Sequence, residues 1–271
     1  MSNLAAKWPV DGHVHFHTIQ RVGPTLDAAA ASLTAASDER GEANGAVLLA
    51  QASSERVFEA IEVASHVAGW SLTPAREEPE TLVARRGKVS LAVVCGRQVR
   101  AADGLEVLAL GTRATFPDGL AFDEAVTRVL RSGALAVVPW GFGKWWGRRA
   151  RRMEAVLESA GNAELFVGDN GGRAALLGVP RRIRVLQANG FRVLPGSDPF
   201  PFGSDYRRVG RFGFLSESRF DEAAPWRQLR SWLVARFESP TPYGRACGLG
   251  RFIFNQAGIQ LYNRFRRGRP T

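Results

Sequence analysis

The sequence predicts an α/β fold, a parallel sheet covered by helices on both faces or closed into a barrel, and three observations carry that expectation. Short apolar runs of strand length alternate with segments whose apolar residues recur at helical spacing over most of the chain. The 271 residues, 45% hydrophobic and 23% charged, suffice for one full core, and β/α barrels commonly fill such a length as a single unit. No repeat at solenoid or propeller periods is evident.

The first strand is expected over residues 8–17 and the first helix in the alanine-rich TLDAAAASLTAASDER. A buried strand follows over 45–51. The next helix is expected in SSERVFEAIEVASHVAGW, where Val57, Ile61, Ala64 and Val67 share a face, Ser53 or Ser54 serves as N-cap and His66 is a packed structural histidine. Between residues 81 and 111 the pattern changes to TLVARRG, KVSLAVVCGRQV and LEVLALG, an antiparallel excursion in which Cys95 is buried. Alternation then resumes: helix FDEAVTRVLRSG, strand ALAVVPW, helix RRARRMEAVLESAG, strand AELFVGDN, helix RRIRVLQANG and strand FRVLPGSD. Beyond Asp198 a turn-rich aromatic stretch leads to two helical segments, DEAAPWRQLRSWLVARF and LGRFIFNQAGIQLYNRF, separated by SPTPYGRACG. Residues 1–219 therefore read as the barrel, and 220–271 as a helical extension packed on it and ending in a basic tail.

The net charge of +10 is uneven: residues 1–146 carry 14 basic and 16 acidic side chains, residues 147–271 carry 22 and 10. Arginine supplies 33 of the 36 cations, and its planar fork suits phosphate or carboxylate, although a GC-rich coding bias would leave the same excess. Two distant cysteines make no disulfide framework. The N-terminal MSNLAAKWPVDG has no signal-length apolar segment, and no window approaches the roughly 20 apolar residues of a membrane span, so a cytoplasmic protein is expected.

The sharpest chemical signal is DGHVHFH over residues 11–17, which holds three of the four histidines. Side chains two apart share a face of a strand, so His13, His15 and in a longer strand His17 converge. Imidazole is the commonest neutral metal ligand; a hydrogen-bonded core cluster is the alternative. The second signal is GSD over 196–198, which ends an apolar run where parallel α/β folds gather ligand and catalytic residues. A third is PWGFGKWWGRR, in which Trp140, Trp145 and Trp146 stand beside Lys144, Arg148 and Arg149, a composition that serves either a substrate lid or an apolar flap. Arg207 and Arg208, after GSD, are further anion candidates.

DGHVHFH at the first strand and GSD at the last resemble the polymerase and histidinol phosphatase (PHP) domain, a metal-dependent phosphoesterase related to amidohydrolases and built on a distorted β/α barrel. GRQVRAADGLEVLALG is similar to the middle region of that family, and the resemblance spans roughly residues 8–214. The chain departs from the family pattern at several positions. Gln51 stands in the segment of the T-D-H-D motif, Gln98 at the carboxylate of the G-x-E strand, Val138-Pro139-Trp140 in place of A-H-P, and Phe200 where G-S-D-x-H ends in histidine. The resemblance leaves His13, His15 and Asp198 as metal ligands, Asp198 and Asp169 as catalytic carboxylates and Glu106 as a weaker candidate. It implies one divalent ion, zinc, manganese or iron, in a hydrolase that acts on a phosphoester or another small anionic substrate, for which the loop residues Trp140, Lys144, Arg148, Arg207 and Arg208 are the binding candidates. A catalytically inactive PHP-like domain that binds an anionic ligand or a partner protein is the second reading. No nucleic-acid module is recognised, so nucleic acid is not expected as a partner, and any weak affinity is assigned to the tail over 264–271.

Overall fold

The computed structural model describes residues 7–37, 43–161 and 164–267, the side chains of 43 and 261–267 excepted. The chain runs β1 (Trp8–Val14), α1 (Ile19–Ala36), β2 (Ala43–Leu49), β3 (Gln51–Ala52), α2 (Val57–Ala64), β4 (His66–Val67), β5 (Trp70–Ala75), β6 (Glu78–Arg86), β7 (Val89–Val94), β8 (Gly96–Arg100) and β9 (Glu106–Leu110). It continues with α3 (Phe122–Arg131), β10 (Leu135–Pro139), α4 (Gly147–Ala160), β11 (Leu165–Asn170), α5 (Arg181–Ala188), β12 (Val193–Gly196), β13 (Phe212–Ser216), α6 (Pro225–Ala235), β14 (Pro242–Gly244) and α7 (Leu249–Arg267). The basic tail beyond 267 lies outside the described residues.

The strands form two sheets, one in the order β14, β13, β1, β2, β7, β6, β5, β4 and one in the order β12, β11, β10, β9, β8, β3. The mixed α/β fold expected from the sequence is present, but no closed ladder joins the two sheets among the described residues, so closure into a barrel is not shown. The reason is at β1. Its two edges are taken by β2, parallel, and by β13, antiparallel, so β12 has no free edge to pair with and instead approaches the backbone of β1 at Gly12. Elsewhere the sheets are joined covalently, since the chain crosses from the first to the second at Ala50, between β2 and β3, and again at Cys95, between β7 and β8.

Alternating side chains on these strands divide the core. Val47, Leu49, Leu91 and Val93 pack outward on α1 and α2, while Ala46, Leu48, Leu108, Leu110, Val137 and Phe166 fill the space between the sheets together with Trp226 and Leu229 of α6. Val107, Ala109 and Val167 face the helices on the other side, where Phe122, Val126, Met153 and Leu157 meet them. Burial of both sheet faces is why these strands read as unbroken apolar runs.

The predicted antiparallel excursion is present, with β5, β6 and β7 paired in sequence and β8 antiparallel to β9. The helix expected to reach Trp70 stops at Ala64. Ser65 takes a left-handed conformation (φ 53°), and Ala68 and Gly69, both at positive φ, turn β4 back onto β5 as a tight hairpin. His66 is therefore exposed on a short strand and not packed in a helix. Nor does Ser53 or Ser54 cap α2; Arg56 occupies that position with no side-chain cap, and the Phe58 N–H is met by Gln51 Oε1 at 2.8 Å. The stretch read as turn-rich conceals β13, whose second residue, Gly213, hides the strand pattern.

Candidate metal centre

The C-terminal ends of β1, β3, β10, β11 and β12 open into one cavity of about 410 Å³, lined among others by His13, His15, His17, Ala52, Trp140, Asn170 and Asp198. Two glycines allow its floor to form. A Cβ on Gly12 would lie 2.7 Å from the Pro195 carbonyl oxygen, and one on Gly196 would overlap the His13 backbone, so β1 and β12 approach only because both positions lack a side chain. The buried carboxylate of Asp11 then fastens the approach, accepting hydrogen bonds from the backbone N–H of Ser197 (2.8 Å), Gly210 (2.8 Å) and His13 (3.3 Å). Burial raises the Asp11 carboxyl to about 6, against the lowering effect of its hydrogen bonds.

On this floor His13 Nε2 and His15 Nε2 lie 3.1 Å apart, and Asp198 Oδ1 lies 3.6 Å and 3.5 Å from them. Asp198 sits at φ 46° and its N–H donates to the His13 carbonyl at 2.8 Å, a non-glycine left-handed residue fixed by its neighbour. Asn170 orders the group. Its Oδ1 faces His13 Nδ1 at 3.3 Å, so a proton on Nδ1 leaves the Nε2 lone pair directed at the cluster, and its Nδ2 donates to Asp198 Oδ2 and to the Trp140 carbonyl, both at 2.8 Å. Burial would raise the Asp198 carboxyl, but the His13 and His15 rings and the Lys144 ammonium outweigh it and hold it well below the ordinary carboxylate range. Burial lowers the pKa of His15, favouring the neutral ring that ligates. Two imidazole nitrogens and a carboxylate oxygen that converge within 3.6 Å of one another are a ligand set suited to a divalent cation.

A second group, His15, His17 and Glu55, shares the His15 ring. His17, at φ 56°, stacks on His15 with ring centroids 5.2 Å apart; its Nε2 lies 3.1 Å from the Pro199 carbonyl oxygen and its Nδ1 3.4 Å from Glu55 Oε1. The sequence reading missed Glu55. The available signal was an acidic side chain just after β3, whose C-terminal end was expected at the site.

The other predicted residues divide. Trp140, Lys144 and Glu106 line the cavity, with Lys144 Nζ 2.5 Å from Glu106 Oε2. Arg148 is exposed on α4, Arg207 is exposed over its neighbour Tyr206, and Arg208 binds the Gly171 carbonyl and Asp205; none of the three lines the cavity. Arg100 and Arg173 line it in their place. Asp169 faces away from the histidines and is clamped by Arg173, whose Nε and Nη2 donate to its two oxygens at 2.6 and 2.8 Å. Gln51, buried, caps α2, while Gln98 lines the cavity without an ionisable group.

No family model matches this chain, and no curated protein matches it in sequence. Solved structures share its fold. PsfC from Pseudomonas syringae PB-5123 matches with a TM-score of 0.57 at 11% identity, over 95% of this chain and 99% of that one. The lesion-specific endonuclease PfuEndoQ from Pyrococcus furiosus matches with a TM-score of 0.51 at 13% identity over 83% of this chain, which spans 55% of the endonuclease. Endonuclease Q in complex with a 27-mer duplex bearing an abasic lesion at the active site matches with a TM-score of 0.49, also at 13% identity, over 83% of this chain and 56% of that one. These likenesses fit a PHP-like fold. They also correct one expectation: PfuEndoQ, a protein of like fold, is a lesion-specific endonuclease, so the fold gives no ground for setting nucleic acid aside as a partner. Among the described residues no helix is long and apolar enough to cross a membrane.

Proposed function

We propose that the chain is a metal-dependent phosphoester hydrolase of the PHP type. The observation that supports this best is the convergence of His13 Nε2, His15 Nε2 and Asp198 Oδ1 on one point in a cavity whose walls carry Lys144 and Arg100. His13, His15 and Asp198 would hold zinc, manganese or iron, and such an ion polarises a phosphoryl oxygen and lowers the pKa of its water. Around it, Lys144 and Arg100 supply positive charge for the phosphoryl oxygens, and Glu106 holds the Lys144 ammonium in place. Asn170 keeps His13 in the ligating tautomer. Asp169, engaged with Arg173, has a structural role in this reading, while His17 and Glu55 offer ligands for a second ion beside the single one expected from the sequence. Hydrolysis adds water across the P–O bond, one product keeping the phosphoryl group and the other leaving as an alcohol that takes a proton. Phosphodiesters of nucleic acid are included among the substrates, since a structural neighbour is an endonuclease.

The test is elemental analysis of protein purified without chelator, together with hydrolysis of p-nitrophenyl phosphate, bis-p-nitrophenyl phosphate and an abasic oligonucleotide by wild type, His13→Ala and Asp198→Asn. Bound metal and turnover, both lost in the variants, is the expected result. A folded wild type with no divalent metal and no turnover would leave an inactive domain that binds an anionic ligand as the better account.

A further inference from the structure

Beside the metal cavity lies a second groove of about 490 Å³ that shares Trp140, Phe142 and Arg173 with it. We propose that this groove is a subsite for a planar, nucleobase-sized aromatic group carried by the phosphoester whose phosphoryl group sits at the histidines. The inference rests on the hydrolase reading for where the phosphoryl group goes, and on the groove alone for what the other end must be.

Phe142 is the hub. Trp140, Trp146 and Phe252 meet it edge-on, at centroid distances of 6.5, 5.2 and 5.3 Å and interplanar angles of 68°, 65° and 81°. These contacts are edge-to-face and not stacked, so in each pair only one ring gives up a face and the other keeps its faces for a ligand. Trp146 is 61% exposed and Phe142 45%, although both line a concavity; large aromatic side chains left open in this way mark a binding surface.

The cations of the groove narrow the ligand. Arg173 is matched by Asp169 and Arg182 by Glu154, which leaves the Arg181 guanidinium with no ion pair or side-chain hydrogen bond among the described residues. Aromatic faces with one free guanidinium favour a π system that carries negative charge nearby, as a nucleotide does, over an alkyl chain or a bare sugar phosphate. Because Trp140 and Phe142 border both spaces, a single ligand can fill the groove and the cavity together.

The experiment uses the metal-loaded full chain and measures binding of adenosine 5′-monophosphate, the dinucleotide pApA and ribose 5-phosphate by calorimetry, with hydrolysis of bis-p-nitrophenyl phosphate assayed alongside. Base stacking is expected to make adenosine 5′-monophosphate bind about tenfold or more tighter than ribose 5-phosphate. Trp146→Ala should erase that preference and leave ribose 5-phosphate unchanged, and Phe142→Leu should reduce it in part. A further gain for pApA that Arg181→Ala removes would identify a strand end as the source of the nucleotide; equal binding of the two would identify a mononucleotide. Equal affinity for adenosine 5′-monophosphate and ribose 5-phosphate in the wild type, or equal loss of both in Trp146→Ala, overturns the subsite. Turnover without base preference leaves the hydrolase and removes the subsite, whereas base preference that tracks Trp146 without metal or turnover does the reverse.

Discussion

The two ligand groups share His15 and differ in what holds the rest. His13 and Asp198 are fixed where β1 and β12 approach through paired glycines, with Asp11 and Asn170 bonded across the junction. His17 and Glu55 lie beyond the ends of β1 and β3, held to each other at 3.4 Å, with His17 also against the Pro199 carbonyl and the His15 ring and Glu55 also accepting from the Ala52 N–H. A group bonded across the junction of two strands needs little ordering when it binds, and a group with fewer such bonds must be ordered first, so equal ligand chemistry should give unequal affinity.

The largest effect that would test this contrast is at its rigid side. His13→Ala or Asp198→Asn should abolish tight metal binding and lower phosphoester turnover by about 10³-fold or more, the scale of losing several kcal/mol of Lewis-acid stabilisation. Steady-state kinetics with metal analysis reads both; retained metal in either variant would break the assignment. Next, Asn170→Ala removes no ligand but releases the His13 tautomer and Asp198 Oδ2, and metal affinity should fall by about 10- to 100-fold in competition with a chelator. A smaller change is expected on the looped side. Glu55→Gln should lower the metal content of a fully loaded sample by the more weakly held ion, leaving the tight ion and turnover within about tenfold of wild type. If Glu55→Gln instead removes the tight ion, the ranking of the two groups is reversed.

The smallest effect on activity is predicted at Asp169. Asp169→Ala should leave turnover within about twofold while destabilising the fold by about 3–5 kcal/mol, because it strands the buried Arg173 guanidinium. Chemical denaturation separates the two readouts, and a loss of turnover larger than the loss of stability explains would return Asp169 to the catalytic set.

Asp169 and Asn170 also show where sequence reasoning stops. The strand AELFVGDN was legible, as was its C-terminal end at the site, but side chains alternate along a strand and a one-residue slip exchanges its faces. The ladder with β12 and β10 sets the register, and it turns Asn170 to the histidines and Asp169 to Arg173. Within DGHVHFH no such ambiguity arises for His13 and His15, since two residues apart they share a face in any register. Arg148, Arg207 and Arg208 had the right charge and lie near the site in sequence, yet helix and loop geometry directs them elsewhere, while Arg100 and Arg173, neither of them singled out as an anion ligand, reach the cavity.

What the sequence by itself determined is what depends on short-range periodicity and local chemistry: alternating strands and helices, the antiparallel excursion, the H-x-H pair and the glycine-led turn at Asp198. What only the tertiary structure decided is what depends on which edges and faces meet. β13 took the edge of β1 and left two joined sheets where a barrel was expected, Glu55 came to His17 from a loop 38 residues away, and one strand's register chose Asn170 over Asp169. Those outcomes are set by pairings between distant segments, whose energies no local window of sequence contains.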